Sequence, residues 1–158
     1  MQEQTREEFI EKVTDGILPP PSYFFEDARI NRVGYESIDS VIDQNKKPLS
    51  VVEFKEAVAK GALILDTRNP DDFEKGYIPS SLNIGLNGQY AVWVGTLIDI
   101  KQPLVLIAEN EKEEEAVLRL ARVGYENVIG YLKGGVTAWE GKLDTVKSIA
   151  AEDIATEM

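Results

Sequence analysis

Apolar residues recur along this chain with two periods, and the alternation between them predicts an α/β domain. Ala62-Leu63-Ile64-Leu65 and Pro103-Leu104-Val105-Leu106-Ile107-Ala108 are continuous apolar runs, the pattern of central parallel strands buried on both faces. Ser81-Leu82-Asn83-Ile84 and Glu126-Asn127-Val128-Ile129-Gly130-Tyr131 predict two further strands. Helical spacing fills the intervals. A capping box at Ser50-Val51-Val52-Glu53 opens a helix whose inner face is Phe54, Ala57 and Val58, with Gly61 as its stop. Asn69-Pro70 supplies an N-cap and first position for a short helix through Lys75, closed by Gly76. Tyr90, Trp93, Val94 and Leu97 predict a helix on the sheet, and Val117, Leu118 and Ala121 another over residues Glu111 to Val123, stopped by Gly124. After the break at Gly134-Gly135, Val136 to Trp139 begins a last helix. Strands and helices alternating at this spacing predict a mainly parallel sheet covered on both faces.

The N-terminal part is patterned differently. Thr5-Arg6-Glu7-Glu8 is a second capping box, followed by Phe9, Ile10 and Val13 at helical spacing and then Gly16. Leu18-Pro19-Pro20-Pro21 forces an extended segment beside the aromatics Tyr23, Phe24 and Phe25. These rings are expected to pack the tail onto the domain surface; the sharper reading is a connector from a preceding domain. Residues 28–47 show little periodicity and read as loop with one brief helix.

Composition narrows the chemistry. Net charge is −11 with a sequence pI near 4.5, which opposes a nucleic-acid or anionic-membrane partner. There is no cysteine and no histidine. The chain therefore has no disulfide, thiolate or persulfide carrier, and lacks the commonest neutral-pH base and the usual zinc ligands. Carboxylates, lysines and hydroxyls remain. No apolar run approaches spanning length and the acidic N-terminus does not look like a signal peptide, so a cytoplasmic protein is expected.

The chain is organised around the run ending at Ala108 and the residues Glu109-Asn110-Glu111-Lys112-Glu113-Glu114-Glu115. A buried strand feeding a helix N-terminus is where α/β proteins place an anion site or nucleophile, and here the turn offers no nucleophile. Asn110-Glu111-Lys112-Glu113 fits a capping box, so the acids read first as helix capping and solubility, and second as a partner-binding surface. Asp66 and Arg68, two apart at a strand end, could form an acid with an electrophilic partner. Gly134-Gly135 lacks the Lys-Ser/Thr of a phosphate loop and reads as a turn.

Three segments resemble the rhodanese-like domain. Residues 63–84, Leu-Ile-Leu-Asp-Thr-Arg-Asn-Pro-Asp-Asp-Phe-Glu-Lys-Gly-Tyr-Ile-Pro-Ser-Ser-Leu-Asn-Ile, are similar to its D-x-R, E/D-F, G-H-I-P-G-A, N-I block, with Tyr77 for histidine and Ser80 for glycine. Gly124-Tyr125-Glu126-Asn127-Val128 and Leu132-Lys133-Gly134-Gly135-Val136-Thr137-Ala138-Trp139 are similar to its closing block. The resemblance implies a five-stranded parallel sheet with helices on both faces. It also implies that the catalytic cysteine position falls at Ala108 or a neighbour, the stretch to Gly124 being about one residue short. Residues Ala108, Glu109, Asn110, Glu111, Lys112 and Glu113 would then be a vestigial active-site loop whose acids repel an incoming anion by ~1 kcal/mol per near, solvated charge. Asp66, Arg68, Gly134, Gly135 and Trp139 would be structural, with Arg68 paired to an acid such as Asp72 or Glu74.

A second resemblance concerns the ends. Leu18–Phe24 with Asn31-Arg32-Val33-Gly34 is similar to the connector in proteins that fuse a metallo-β-lactamase-fold domain to rhodanese domains, among them persulfide dioxygenases and hydroxyacylglutathione hydrolase-like chains. Glu113–Val117 and Val128–Leu132 resemble their first, cysteine-lacking repeat. Ser148–Ile154 echoes Leu49–Phe54, as the start of a following repeat would. The implied organisation is a helix and Pro/aromatic connector over 1–48, a rhodanese-like domain over 49–143 and a linker or next repeat over 144–158, together a middle piece of a longer protein. The expected function is an inactive structural or docking module of a larger sulfur-handling or thioester-hydrolysing enzyme. Its partners would be neighbouring domains of the same chain, with homo-oligomerisation through the parent. No cofactor or metal is expected in these residues, iron or zinc belonging to a missing N-terminal domain. Two rivals remain open: a free-standing regulatory module binding through 109–115, and a cysteine-independent enzyme using Asp66 or Glu109 with a bound ion.

Overall fold

Five short strands pair in parallel in the computed structural model, which describes residues 5–16, 24–25, 28–29, 32 and 38–147. They are β1 (Pro48–Leu49), β2 (Leu63–Asp66), β3 (Leu82–Asn83), β4 (Leu104–Ile107) and β5 (Val128–Leu132), in the order β1-β5-β4-β2-β3. β4 is central because all four of its side chains are buried. Leu104 and Leu106 enter one core with Leu65, Tyr90, Val94, Val117 and Leu120. Val105 and Ile107 enter the other with Phe54, Ile64, Ile78 and Leu132. Successive strand residues face opposite sides of the sheet, so a run buried at every position needs cover on both.

That cover is α3 (Val51–Ala59) on the second face, and α5 (Tyr90–Leu97) and α6 (Glu113–Ala121) on the first. The Ser50–Glu53 capping box forms as expected and buries Phe54 and Ala57. The short α4 (Pro70–Phe73) starts from Asn69, whose side chain accepts from Asp71 N–H at 3.0 Å. Between α6 and β5, the Tyr125 hydroxyl lies 2.6 Å from the Ile98 carbonyl and 3.1 Å from that of Val94, tying the end of α5 to the chain entering β5.

The first strand and the last helix depart from the sequence reading. The strand β1 falls just past the stretch read as loop; two residues carry no period, and only pairing to Tyr131 and Leu132 defines it. At Gly130 an added Cβ would meet the Lys47 carbonyl at 2.3 Å, so glycine is what lets this edge close. The expected last helix is a single 3-10 turn, Gly135–Ala138.

Before the sheet lie α1 (Arg6–Thr14), with both bonds of its capping box formed, and α2 (Ile38–Asn45). Phe9, Ile10 and Val13 stay about half exposed, and so do Phe24 and Phe25. The expectation that aromatics 24 and 25 pack onto the domain is therefore corrected: these rings meet each other edge-on at 6.2 Å and remain open to solvent. Pro19–Tyr23 and Ser148–Ile154 lie outside the described residues. Among the described residues no helix is long and apolar enough to cross a membrane.

Candidate functional site

The C-terminal ends of β2, β4 and β5 meet at one edge of the sheet, the edge where parallel α/β sheets hold ligands. There the chain leaves β4 at Ala108, β2 at Arg68, and β5 just before Gly134, and the three segments line a cleft of about 460 Å³. Ala108, Glu109, Asn110, Glu113, Arg68, Gly134 and Gly135 all border it. The structure thus brings together most of the residues singled out in sequence. Gly134 and Gly135 both have left-handed φ, +83° and +60°, and a Cβ on Gly135 would stand 3.3 Å from the Ala108 carbonyl.

The loop after β4 does not form the capping box expected from Asn110 and Glu113. The Lys112 N–H donates to the Glu109 carbonyl at 3.0 Å, closing a turn in which Glu111 takes φ +67°. A left-handed residue cannot sit in the first turn of a right-handed helix. The helix therefore begins two residues later, at Glu113, with Lys112 as N-cap and no side-chain cap. Lys112 Nζ reaches Glu115 Oε2 at 2.9 Å. That hydrogen bond and ion pair raise the lysine's pKa and lower the glutamate's. The loop's one cation is thus paired, and Glu111 and Lys112 do not border the cleft.

Glu109 instead spans the cleft's rim, its Oε1 accepting from the Asn69 N–H at 3.3 Å. The Thr67 N–H and hydroxyl both donate to the Ile107 carbonyl, at 2.8 and 3.0 Å, holding β2's exit against β4's.

Asp66 and Arg68 form one closed unit. The carboxylate of Asp66, fully buried, accepts from Arg68 Nε at 3.0 and 3.1 Å, from Nη2 at 2.7 Å and from its backbone N–H at 3.1 Å. Nη2 also donates to the Gly76 carbonyl at 2.9 Å. The partner expected from Asp72 or Glu74 is supplied two residues back on the same strand, because the turn folds the guanidinium over it; Asp72 pairs with Lys75 at 2.7 Å. Asp66 does not border the cleft and its carboxylate is taken up by Arg68, which leaves it poorly placed as a general acid.

Trp139 lies apart from this cleft, packed edge-on against Phe54 at 6.2 Å between centroids with Lys55 Nζ 4.7 Å above its ring. Two contributors were not singled out in sequence. Thr137 donates its hydroxyl to the Gly134 carbonyl at 2.7 Å and closes the turn; a threonine two residues past a glycine pair was the available signal. Asn83 donates to the carbonyls of Asp66 and Arg68, both at 3.0 Å, and ties β3 to the strand exit.

Chemically, the cleft offers a methyl group where β4 ends, a paired guanidinium, and two carboxylates. Among the described residues, its lining contains no thiol, imidazole or lysine.

The family model for the rhodanese-like domain matches residues 50–142, more than half of the chain. A crystal structure of the Alr3790 protein from Anabaena sp. is similar with a TM-score of 0.56 at 18% identity, covering 69% of this chain and 87% of that one. A metallo-beta-lactamase from Staphylococcus aureus subsp. aureus COL is similar with a TM-score of 0.62 at 21% identity, covering 82% of this chain but 35% of that one. The EanB/T414V complex with hercynine gives 0.55 at 14% identity, over 78% and 33%. At these identities the likenesses concern the fold. No curated protein sequence matches the chain.

Proposed function

The chain belongs to the rhodanese-like domain family, and from that premise we propose that it is a catalytically inactive member. Its role is that of a structural or docking module within a larger protein that also carries a metallo-β-lactamase-fold domain. One observation carries the first half: Ala108 occupies the exit of the central strand and borders the cleft, in a chain without any cysteine. Sulfur transfer through a persulfide needs a thiolate, and neither alanine nor its neighbours can become one. The acids agree with this, since Glu109 and Glu113 border the space an anionic sulfur donor would enter.

The second half draws on the staphylococcal metallo-beta-lactamase, in which 82% of this chain finds a counterpart that makes up about a third of that protein. In such a parent, the hydrolase or persulfide-oxidising chemistry and its iron or zinc belong to the other domain. Among the described residues no group of three or more acids stands close enough together to hold a metal ion.

Purified protein assayed for thiosulfate-to-cyanide sulfur transfer is expected to show only the buffer rate. Turnover comparable to a cysteine-bearing family member refutes the proposal. A regulatory module binding through the acidic loop is the second reading, supported by the outward exposure of Glu109, Glu111 and Glu114. Charge reversal at those three positions, followed by measurement of partner retention, separates it from a passive spacer.

A further inference from the structure

On the flank of α3, away from the cleft, an open groove of about 360 Å³ is lined by Val58, Ile64, Ile78 and Trp139. It runs on, through shared Val58 and Ile64, into a second depression of about 250 Å³ that reaches Ser80 and Gln102 and, among the described residues, has no charged one in its lining. The two charged side chains that border the first part are both lysines, Lys55 and Lys142, in a protein of net charge −11. Lys55 has no carboxylate partner among the described residues and rests over the Trp139 ring. Lys142 is 89% exposed, with Asp144 at 3.9 Å. Beneath them the Trp139 indole N–H is buried without an acceptor among the described residues.

We propose that this groove docks an extended acidic segment of a partner protein, which sets a large apolar side chain beside Trp139 and its carboxylates against Lys55 and Lys142. The inference rests on the docking half of the function proposed above and gives it a surface and a partner chemistry. Charge complementarity selects the occupant. A second copy of this acidic chain would be repelled over most of its surface, whereas an acidic segment finds two cations here at the rim of an apolar trough. The elongated, open shape with few polar atoms suits a peptide, which brings its own hydrogen bonding, better than a small polar ligand.

The test uses the 158-residue chain carrying Trp93→Phe, so that Trp139 is its one tryptophan, titrated with the peptide acetyl-Glu-Glu-Leu-Phe-Glu-Glu-amide. The indole N–H resonance of Trp139 is expected to shift. Lys55→Glu with Lys142→Glu, two exposed changes checked for folding by circular dichroism, should weaken binding by at least about tenfold. The proposal is overturned by equal binding of the Gln-for-Glu peptide, by shifts confined to residues 109–115, by binding of dodecanoate in place of the peptide, or by no shift at millimolar peptide. A peptide that shifts only residues 109–115 removes this groove and leaves the docking reading standing on the acidic loop, whereas a peptide that shifts no residue removes the groove and gives the docking reading no support, so the two failures give different results.

Discussion

Replacing Ala108 by cysteine places a single thiol in a chain that has none, and its ionisation reports how the loop treats an anion. In a working anion cradle the thiol would fall into the range of about 3.5–7.5. The structure argues for the opposite shift. Glu109 is the next residue and Glu113 borders the same cleft, while Lys112 is held by Glu115. One uncompensated carboxylate at about 7 Å, with an effective dielectric of about 40, opposes a thiolate by ~1.2 kcal/mol. That is close to one pKa unit. The dipole of α6 does little to offset it, since the helix starts at Glu113 with three acids in its first turn. Burial pushes the same way, Ala108 being 6% exposed. With two such carboxylates and burial acting together, the expected thiol pKa is at least about 9.5 against an ordinary ~8.5. The rate of iodoacetamide alkylation against pH measures it without background from other thiols. Adding Glu109→Gln and Glu113→Gln should bring the inflection down by roughly one to two units. An inflection below about 7.5 in the single variant would refute the reasoning, because it would mean that the backbone of the turn still stabilises an anion.

Asp66→Ala should cost about 3–5 kcal/mol in urea unfolding, since it leaves the buried Arg68 guanidinium without its carboxylate; a loss below about 1 kcal/mol would place the pair's value elsewhere. Gly130→Ala should detach β1, lowering stability by roughly 1–3 kcal/mol and accelerating hydrogen exchange at the Tyr131 N–H that bonds to the Lys47 carbonyl. Burial, with a smaller contribution from Asp99, pushes the Tyr125 phenol up to about 12. Because that lies above the unfolded value of ~10, the stabilisation is complete below about pH 10 and fades as pH rises toward 12. Tyr125→Phe should therefore lose about 1 kcal/mol at pH 7 and show a flatter fall above pH 10, where Tyr90, also raised by burial, still contributes. Tyr90→Phe removes a buried hydroxyl that has no hydrogen-bond partner among the described residues and should be neutral or stabilising at pH 7 by thermal melting.

The sequence alone determined the strands that are buried on both faces, since Leu63–Leu65 and Leu104–Ile107 can satisfy their apolar side chains only inside a covered sheet. It also determined the capping boxes at Thr5 and Ser50, whose bonds close within four residues, and the lack of a nucleophile after β4. Tertiary structure decided the rest. The acidic loop carried a valid capping pattern, yet Glu111 turned left-handed and moved the helix start to Glu113, because the turn closed by Glu109 and Lys112 sets where the chain can rise. The pairing of Arg68 with Asp66 depended on a turn geometry that spacing does not encode, and β1 exists only through its register on β5. The groove beside Trp139 is made by residues from 55 to 142, which no local window joins. Patterns that are satisfied by near neighbours are legible in a sequence. Sites assembled from separate strand ends and helix flanks depend on long-range packing, which only the folded chain specifies.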